Sequence, residues 1–192
     1  MTMACLVLAS GLSRRFGDGD KLMQNLGGKP LLAHCLIAAS EIFAPEHRFI
    51  VVPNPDPRSE LASQFEFSLI DNPEPETGQG RSLAIGVQAL LAQNYHSVCV
   101  LLADMPFISP EFIQGFIDQS ENFDIGFSQV RGRAQPPAIF KATAFEPLTG
   151  LSGDQGARAL DLSAFSIAQI PLPEEMARDI DIPDDIPDDF AR

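Results

Sequence analysis

Short uninterrupted apolar runs alternate with amphipathic stretches along this chain, and the two patterns predict different elements. Residues 4–8 (ACLVL) form a continuous apolar run of strand length, as expected for a strand buried on both faces of a sheet. Similar runs at 49–52, 67–70 and 98–102 predict three more strands. Leu31, Leu32, Cys35, Leu36 and Ala39 share one helical face, which predicts a helix from Pro30 to about residue 43 with the proline in its first turn. Leu83, Val87, Leu90 and Leu91 predict a helix over 81–92, and a shorter one is expected near 59–64. Ser109-Pro110-Glu111 reads as cap, first position and first-turn acid of a helix to about residue 119. Short strands at 125–127 and 138–140 are expected to flank the RGRAQPP segment. A helix near 143–148 and a strand near 166–170 follow, then a proline- and aspartate-rich tail.

This β-α-β-α order predicts parallel strands with right-handed crossovers and helices on both faces of the sheet. A chain of 192 residues fits one domain, 1–192. Ligands of such sheets bind beyond the carboxyl ends of the strands. The 9–28 loop and Asp104 both follow predicted strands and are therefore expected to face one crevice.

Composition narrows the classes. Hydrophobic residues make up 45% and charged residues 20%, an ordinary globular balance. No apolar run approaches the roughly 18 residues of a membrane span. The opening MTMACLVLASG has no basic flank and reads as a buried strand, not a secretory signal, so a cytoplasmic protein is expected. The formal charge of −13 disfavours nucleic acid and anionic membranes as partners. That charge is uneven. Residues 1–30 carry Arg14, Arg15, Lys21 and Lys29 against Asp18 and Asp20, whereas 174–192 hold eight acids against Arg178 and Arg192. A basic loop on an acidic protein needs a local explanation, which a bound polyphosphate would supply. Cys5, Cys35 and Cys99 lie far apart in apolar stretches and read as buried free thiols, with no zinc-binding spacing. His34, His47 and His96 have no convergent partners and read as surface or packing residues.

Five segments carry candidate chemistry. In LASGLSRRFGDGDK (8–21), Gly11 permits a turn and close backbone approach to a ligand, Ser13 adds a hydroxyl, and Arg14, Arg15 and Lys21 supply charge for phosphate oxygens. Its spacing is neither the dinucleotide fingerprint nor a Walker loop, since Pro30 follows Gly28-Lys29. A surface loop with incidental arginines would have the same composition. In LLADMPF (101–107), Asp104 ends a very apolar strand, where a carboxylate needs a crevice or a cation; it is a candidate magnesium ligand or a turn residue before Pro106. In RDIDIPDDI (178–186), alternation sets Asp179 and Asp181 opposite Ile180 and Ile182, so these acids are candidates to complete a metal site or are part of a solvated tail. Ser82, within TGQGRSLAIGV, is a candidate ligand-binding hydroxyl or a plain helix cap. Gly153, Asp154, Gly156 and Arg158 mark either an acceptor-binding turn or a capped helix start.

In this order, the segments resemble the molybdenum cofactor nucleotidyltransferases, particularly the cytidylyltransferase branch. LASGLSRRFGDGDK with GGKPLL (27–32) is similar to that family's opening motif, LLADMP to its metal-binding aspartate motif, LSGDQGARAL (151–160) to its GDxGAR motif and DIDIPDDI (179–186) to its DIDTPxDL ending. The resemblance implies a three-layer α/β Rossmann-like nucleotidyltransferase fold with a mostly parallel central sheet. It also implies transfer of a nucleoside monophosphate to the phosphate of a molybdopterin-type cofactor, with release of pyrophosphate and with a molybdoenzyme as eventual client. By that analogy Arg15 and Lys21 hold the triphosphate, while Asp104 and Asp181 (or Asp179) hold Mg2+. Nucleotide contacts are expected from Leu8, Ala9, Ser10, Gly11, Ser13 and Arg14 in the first loop and from Gly80 and Ser82 beyond it. Gly153, Asp154 and Arg158 are expected on the acceptor side. The GDQGAR segment favours CTP over GTP. AQPPAIF (134–140) lies between the patterns of the cytidylyl and guanylyl branches, and Ser10, Arg81 and Ile182 depart from the family pattern. Guanylyl transfer, a sugar- or polyol-phosphate nucleotidyltransferase and a non-catalytic cofactor-binding accessory protein are the competing readings.

Overall fold

A computed structural model of the chain describes residues 2–12, 19–154, 156–178 and 180. The element order is β1 (Met3–Leu8), a small antiparallel pair β2 (Asn25–Leu26) and β3 (Lys29–Pro30), α1 (Leu31–Ile42), β4 (Arg48–Val52), α2 (Pro57–Gln64), β5 (Ser68–Asp71), α3 (Gln79–Ala92), β6 (Ser97–Leu102), α4 (Pro110–Ser120), β7 (Ile125–Val130), β8 (Arg133–Lys141), α5 (Phe145–Thr149) and β9 (Ile167–Pro171). The main sheet has seven strands in the order β5-β4-β1-β6-β8-β7-β9. β1 lies inside it, parallel to both β4 and β6, with Cys5 opposite Arg48 on one side and Cys99 on the other. This position explains the uninterrupted apolar run, because both faces of β1 are covered.

The period of two sorts the strand side chains between two cores. Cys5, Val7, Ile50, Val52, Cys99 and Leu101 face α1 and α4, where Leu32, Leu36, Ile113 and Phe116 meet them. Ala4, Leu6, Phe49, Val51, Val98 and Val100 face α3 and α5, against Leu83, Val87, Leu90, Phe145 and Leu148. α3 lies very close to the sheet at Gly86, where an added Cβ would fall 2.5 Å from Leu6 Cδ2. Leu6 is fully buried there, so truncating it to alanine should cost about 2–5 kcal/mol. The three cysteines are free and buried; burial pushes Cys99 up to about 12, and burial with the nearby charge of Asp104 does the same for Cys35. They are packing residues of the core.

The sheet is mostly parallel, as expected, and the one strand that breaks the pattern is β8, which runs antiparallel to both β6 and β7. Arg131 and Gly132 take positive φ (49° and 78°) and form a two-residue hairpin turn, which returns the chain beside itself with no crossover. The strands are also longer than the sequence predicts. The register jumps from Phe127 opposite Ala138 to Ser128 opposite Gln135, which leaves Pro136 and Pro137 in a bulge. The Ser128 hydroxyl lies 3.0 Å from the Gln135 carbonyl and 2.8 Å from that of Pro137, and so supplies a donor where the prolines have none. Ser82 is not a helix cap: α3 starts at Gln79, with Gly78 at the cap position. The Ser109 cap is found as read, its hydroxyl accepting from the Phe112 amide at 3.2 Å. β1, β4, β5 and β6 all point their carboxyl ends the same way, and the loops leaving them enclose the site.

Candidate active site

The floor of the site is the pair β1 and β6. Past their last ladder residues, the Ala103 amide donates to the Leu8 carbonyl (3.2 Å), and the Ala9 amide donates to the Val51 carbonyl (2.9 Å). Ser10 is buried, and its hydroxyl donates to Val51 as well (3.1 Å), so this side chain is turned into the protein to tie the loop to β4. Gly11 is different. Among the described residues, a Cβ placed on it would meet no atom within 4 Å, and the residue lines the open crevice. Ser13, Arg14 and Arg15 lie outside the described residues.

The loop ends in a single helical turn, Lys21–Met23, capped by Asp20, whose carboxylate accepts from the Leu22 amide at 3.0 Å. This turn projects Lys21 inward until its Nζ lies 2.9 Å from Asp104 Oδ2, with side-chain exposures of 11% and 27%. Two residues distant in sequence are thereby joined at the crevice, and the carboxylate keeps enough exposure to meet a ligand. The Asp104 carbonyl accepts from the amide of Ile180 (3.3 Å), a fully buried residue, so the C-terminal segment reaches the same corner. Asp179 and Asp181 lie outside the described residues. No group of three or more His, Cys, Asp or Glu side chains suited to a metal ion occurs among the described residues. The carboxylates that line the crevice are those of Glu76, Asp104 and Asp154, and one or two such groups with substrate phosphates and water suit magnesium.

The opposite wall is the entry to α3 locked against the 152–154 turn. The Gly80 amide donates to the Gly153 carbonyl (2.8 Å) and the Gly153 amide to the Thr77 carbonyl (2.9 Å). An added Cβ would fall 2.5 Å from Asp154 Oδ1 at Gly78 and 2.8 Å from the Ser152 carbonyl at Gly80. Only glycine fits this approach. It brings Asp154 into the crevice, whereas Gly80 is consumed in the junction and does not line it. Ser82 does line it, its hydroxyl accepting from Asn72 Nδ2 at 3.1 Å.

Between the walls lies a crevice of about 460 Å³, which also receives Pro75, Glu76 and Gln79. That volume falls within the roughly 300–1,000 Å³ of small-molecule sites. A second, largely apolar cavity of about 50 Å³ adjoins it, sharing Leu8, Gln79 and Leu102; Arg158 and Gln135 line this one. Asp154 and Arg158 thus face neighbouring cavities, not one. The sequence reading missed Asn72, Glu76, Gln79 and Arg58. Asn72 is completely buried, with its amide donating to Val52 and its side-chain oxygen accepting from the Glu74 amide. Its only local signal was a turn-rich context.

Comparison with known proteins agrees with this arrangement. Residues 5–166 match the model of the MobA-like NTP transferase domain family. The chain is 30% identical over 193 residues to the purine catabolism protein PucB of Bacillus subtilis, covering 93% of this chain and 91% of that protein. It is 31% identical over 125 residues to a probable molybdenum cofactor guanylyltransferase of Pyrococcus horikoshii, covering 64% of this chain and 58% of that protein. Among solved structures, Rv0371c of Mycobacterium tuberculosis in complex with manganese superposes with a TM-score of 0.71 at 18% identity, covering 96% of each chain. A strand-order core with one antiparallel intruder, a crevice at the carboxyl ends of β1 and β6 and a match over most of the length lead to one assignment: this chain is a nucleotidyltransferase of the MobA-like NTP transferase family.

Proposed function

We propose that the protein transfers CMP from CTP to the phosphate of a molybdopterin-type cofactor, with magnesium, in the cytoplasm, and that the product serves a molybdoenzyme. The observation that carries this reading is the meeting of Lys21 and Asp104 at 2.9 Å inside the crevice. A cation and a carboxylate placed together serve a polyphosphate and its metal, each taking one of the two when the substrate binds. Arg15 and Lys21 hold the triphosphate, with Ser13, Arg14 and the backbone around Leu8, Ala9, Ser10 and Gly11 as its cradle. Ser82 belongs to the nucleoside side, and Gly153, Asp154 and Arg158 to the acceptor side.

An oxygen of the acceptor phosphate attacks the α-phosphorus; the new P–O bond forms as the bond to the β-phosphate breaks, and pyrophosphate leaves with the electron pair. Lys21 and Arg15 neutralise charge growing on the leaving oxygens. Asp104 and Asp181 would hold magnesium, which when bound supplies charge stabilisation at the phosphate oxygens. No helix among the described residues is long and apolar enough to cross a membrane. The base preference rests on the GDQGAR segment, and similarity to the Pyrococcus horikoshii protein favours GTP as the second reading. Pyrophosphate release with CTP and with GTP, in the presence of molybdopterin cofactor, decides between them. CTP should be used several-fold faster; equal or exclusive use of GTP would falsify the cytidylyl assignment.

A further inference from the structure

Arg58 is 5% exposed, lies outside the crevice lining and spends its guanidinium on the two ends of the first loop. Its Nη1 donates to the carbonyl of Ala9, where the loop leaves β1. Its Nε and Nη2 donate to the two carboxylate oxygens of Asp20 at 2.7 and 2.9 Å, where the loop ends. Asp20 in turn caps the single turn that begins with Lys21. Arg58 is itself fixed from its own side: Asp56 caps α2 by accepting from the Arg58 amide (2.9 Å), and Asp56 Oδ1 lies 3.4 Å from Arg58 Nε. A rigid fork therefore connects the start of the loop, its end and the cap that orients Lys21.

The molecule contains a useful contrast in Arg48. That buried guanidinium donates to the carbonyls of Phe43, Phe65 and Ser40, all remote from the crevice, and so ties together core elements only. Arg58 makes the same kind of buried contact but directs every bond to the loop or to its own anchor. A lysine could not reproduce it, since one ammonium cannot grip both Asp20 oxygens in plane and reach Ala9 as well.

We propose that Arg58 is a positioning residue for triphosphate binding: it sets the span of the first loop and, through Asp20, the placement of Lys21. This rests on the reading that Lys21 grips the triphosphate. A misplacement of about 1 Å in such a grip costs up to roughly a hundredfold, so loss of the fork should weaken triphosphate binding selectively.

Calorimetric titration of the full chain with CTP and GTP, and with CMP and GMP, in the presence of magnesium tests this. Arg58→Met should weaken the preferred triphosphate by about tenfold or more and the corresponding monophosphate by less than about threefold, with Arg58→Lys recovering only part. In the double variant with Lys21→Met, the further loss beyond Lys21→Met alone should be under about threefold, because the group being positioned is gone. Triphosphate affinity within about twofold of wild type in Arg58→Met, equal loss for tri- and monophosphate, or full additivity with Lys21→Met would each overturn the proposal. If Lys21→Met alone left triphosphate affinity unchanged, the inference would fall together with the assignment of Lys21, and the two failures are thereby told apart. Should Arg58→Met not fold, Asp20→Asn, which keeps an oxygen for the Leu22 amide but loses the charged grip, is expected to give the same selective loss and the same non-additivity.

Discussion

Both walls of the crevice are built on glycine, but for opposite reasons. At Gly11 a side chain would meet none of the described residues within 4 Å, so it faces the open crevice. At Gly80 a side chain would meet the Ser152 carbonyl at 2.8 Å, so the space is already filled by the protein itself. One glycine leaves room for a ligand and the other lets two chain segments touch. Sequence composition treats them alike. The difference teaches that a glycine near a binding site is informative only once its neighbour is known.

Three tests bear on this contrast. The largest effect belongs to Asp104, proposed above as a magnesium ligand, where the first wall meets the corner closed by Ile180. Asp104→Ala should lower kcat/KM by about a hundredfold or more, since transition-state charge loses its support, while the thermal midpoint changes little. Activity within about twofold of wild type would remove Asp104 from the chemistry.

The glycines themselves come next. Gly80→Ala should destabilise the fold by about 1–3 kcal/mol through overpacking, read as a lower denaturation midpoint. Gly11→Ala should leave that midpoint within about 0.5 kcal/mol of wild type yet weaken nucleotide binding. If the two variants exchanged these phenotypes, the contrast between the walls would be wrong.

The smallest effect lies outside both walls, at Asp124. Hydrogen bonds from the Ser166 hydroxyl and amide, with a further one from Thr143, hold its carboxyl below the usual range. Because its folded value is depressed, the stabilisation is present above the unfolded carboxylate value and is lost as pH falls through the folded one. Asp124→Asn should therefore lower the thermal midpoint slightly at neutral pH, with the difference from wild type shrinking as pH falls through the depressed carboxyl value and nucleotide binding unaffected. A binding defect would extend the site further than the two walls.

Much of the fold was legible because it follows from local pattern. The run at 4–8 identified β1, and Ser109-Pro110-Glu111 marked the start of α4 to the residue. The same logic found only residues 138–140 of β8, because Pro136 and Pro137 argue against a longer strand although a bulge and Ser128 accommodate them. In the site, Lys21 and Asp104 were legible as charges beside apolar strands, and the ion pair joins them. Arg58 and Asn72 were not, because their importance comes from burial against residues far away in the chain. A polar residue that the fold later buries looks, in sequence, like one that solvent keeps.

The bond between the Ile180 amide and the Asp104 carbonyl also has a consequence in time. On the ribosome, β1 and β6 can pair long before residue 180 emerges, at about 5–20 residues per second. The corner around Asp104 is therefore completed seconds after the sheet that supports it. A nascent chain would carry the paired strands before the Ile180 amide can reach the Asp104 carbonyl, so this corner is among the later parts of the fold to close.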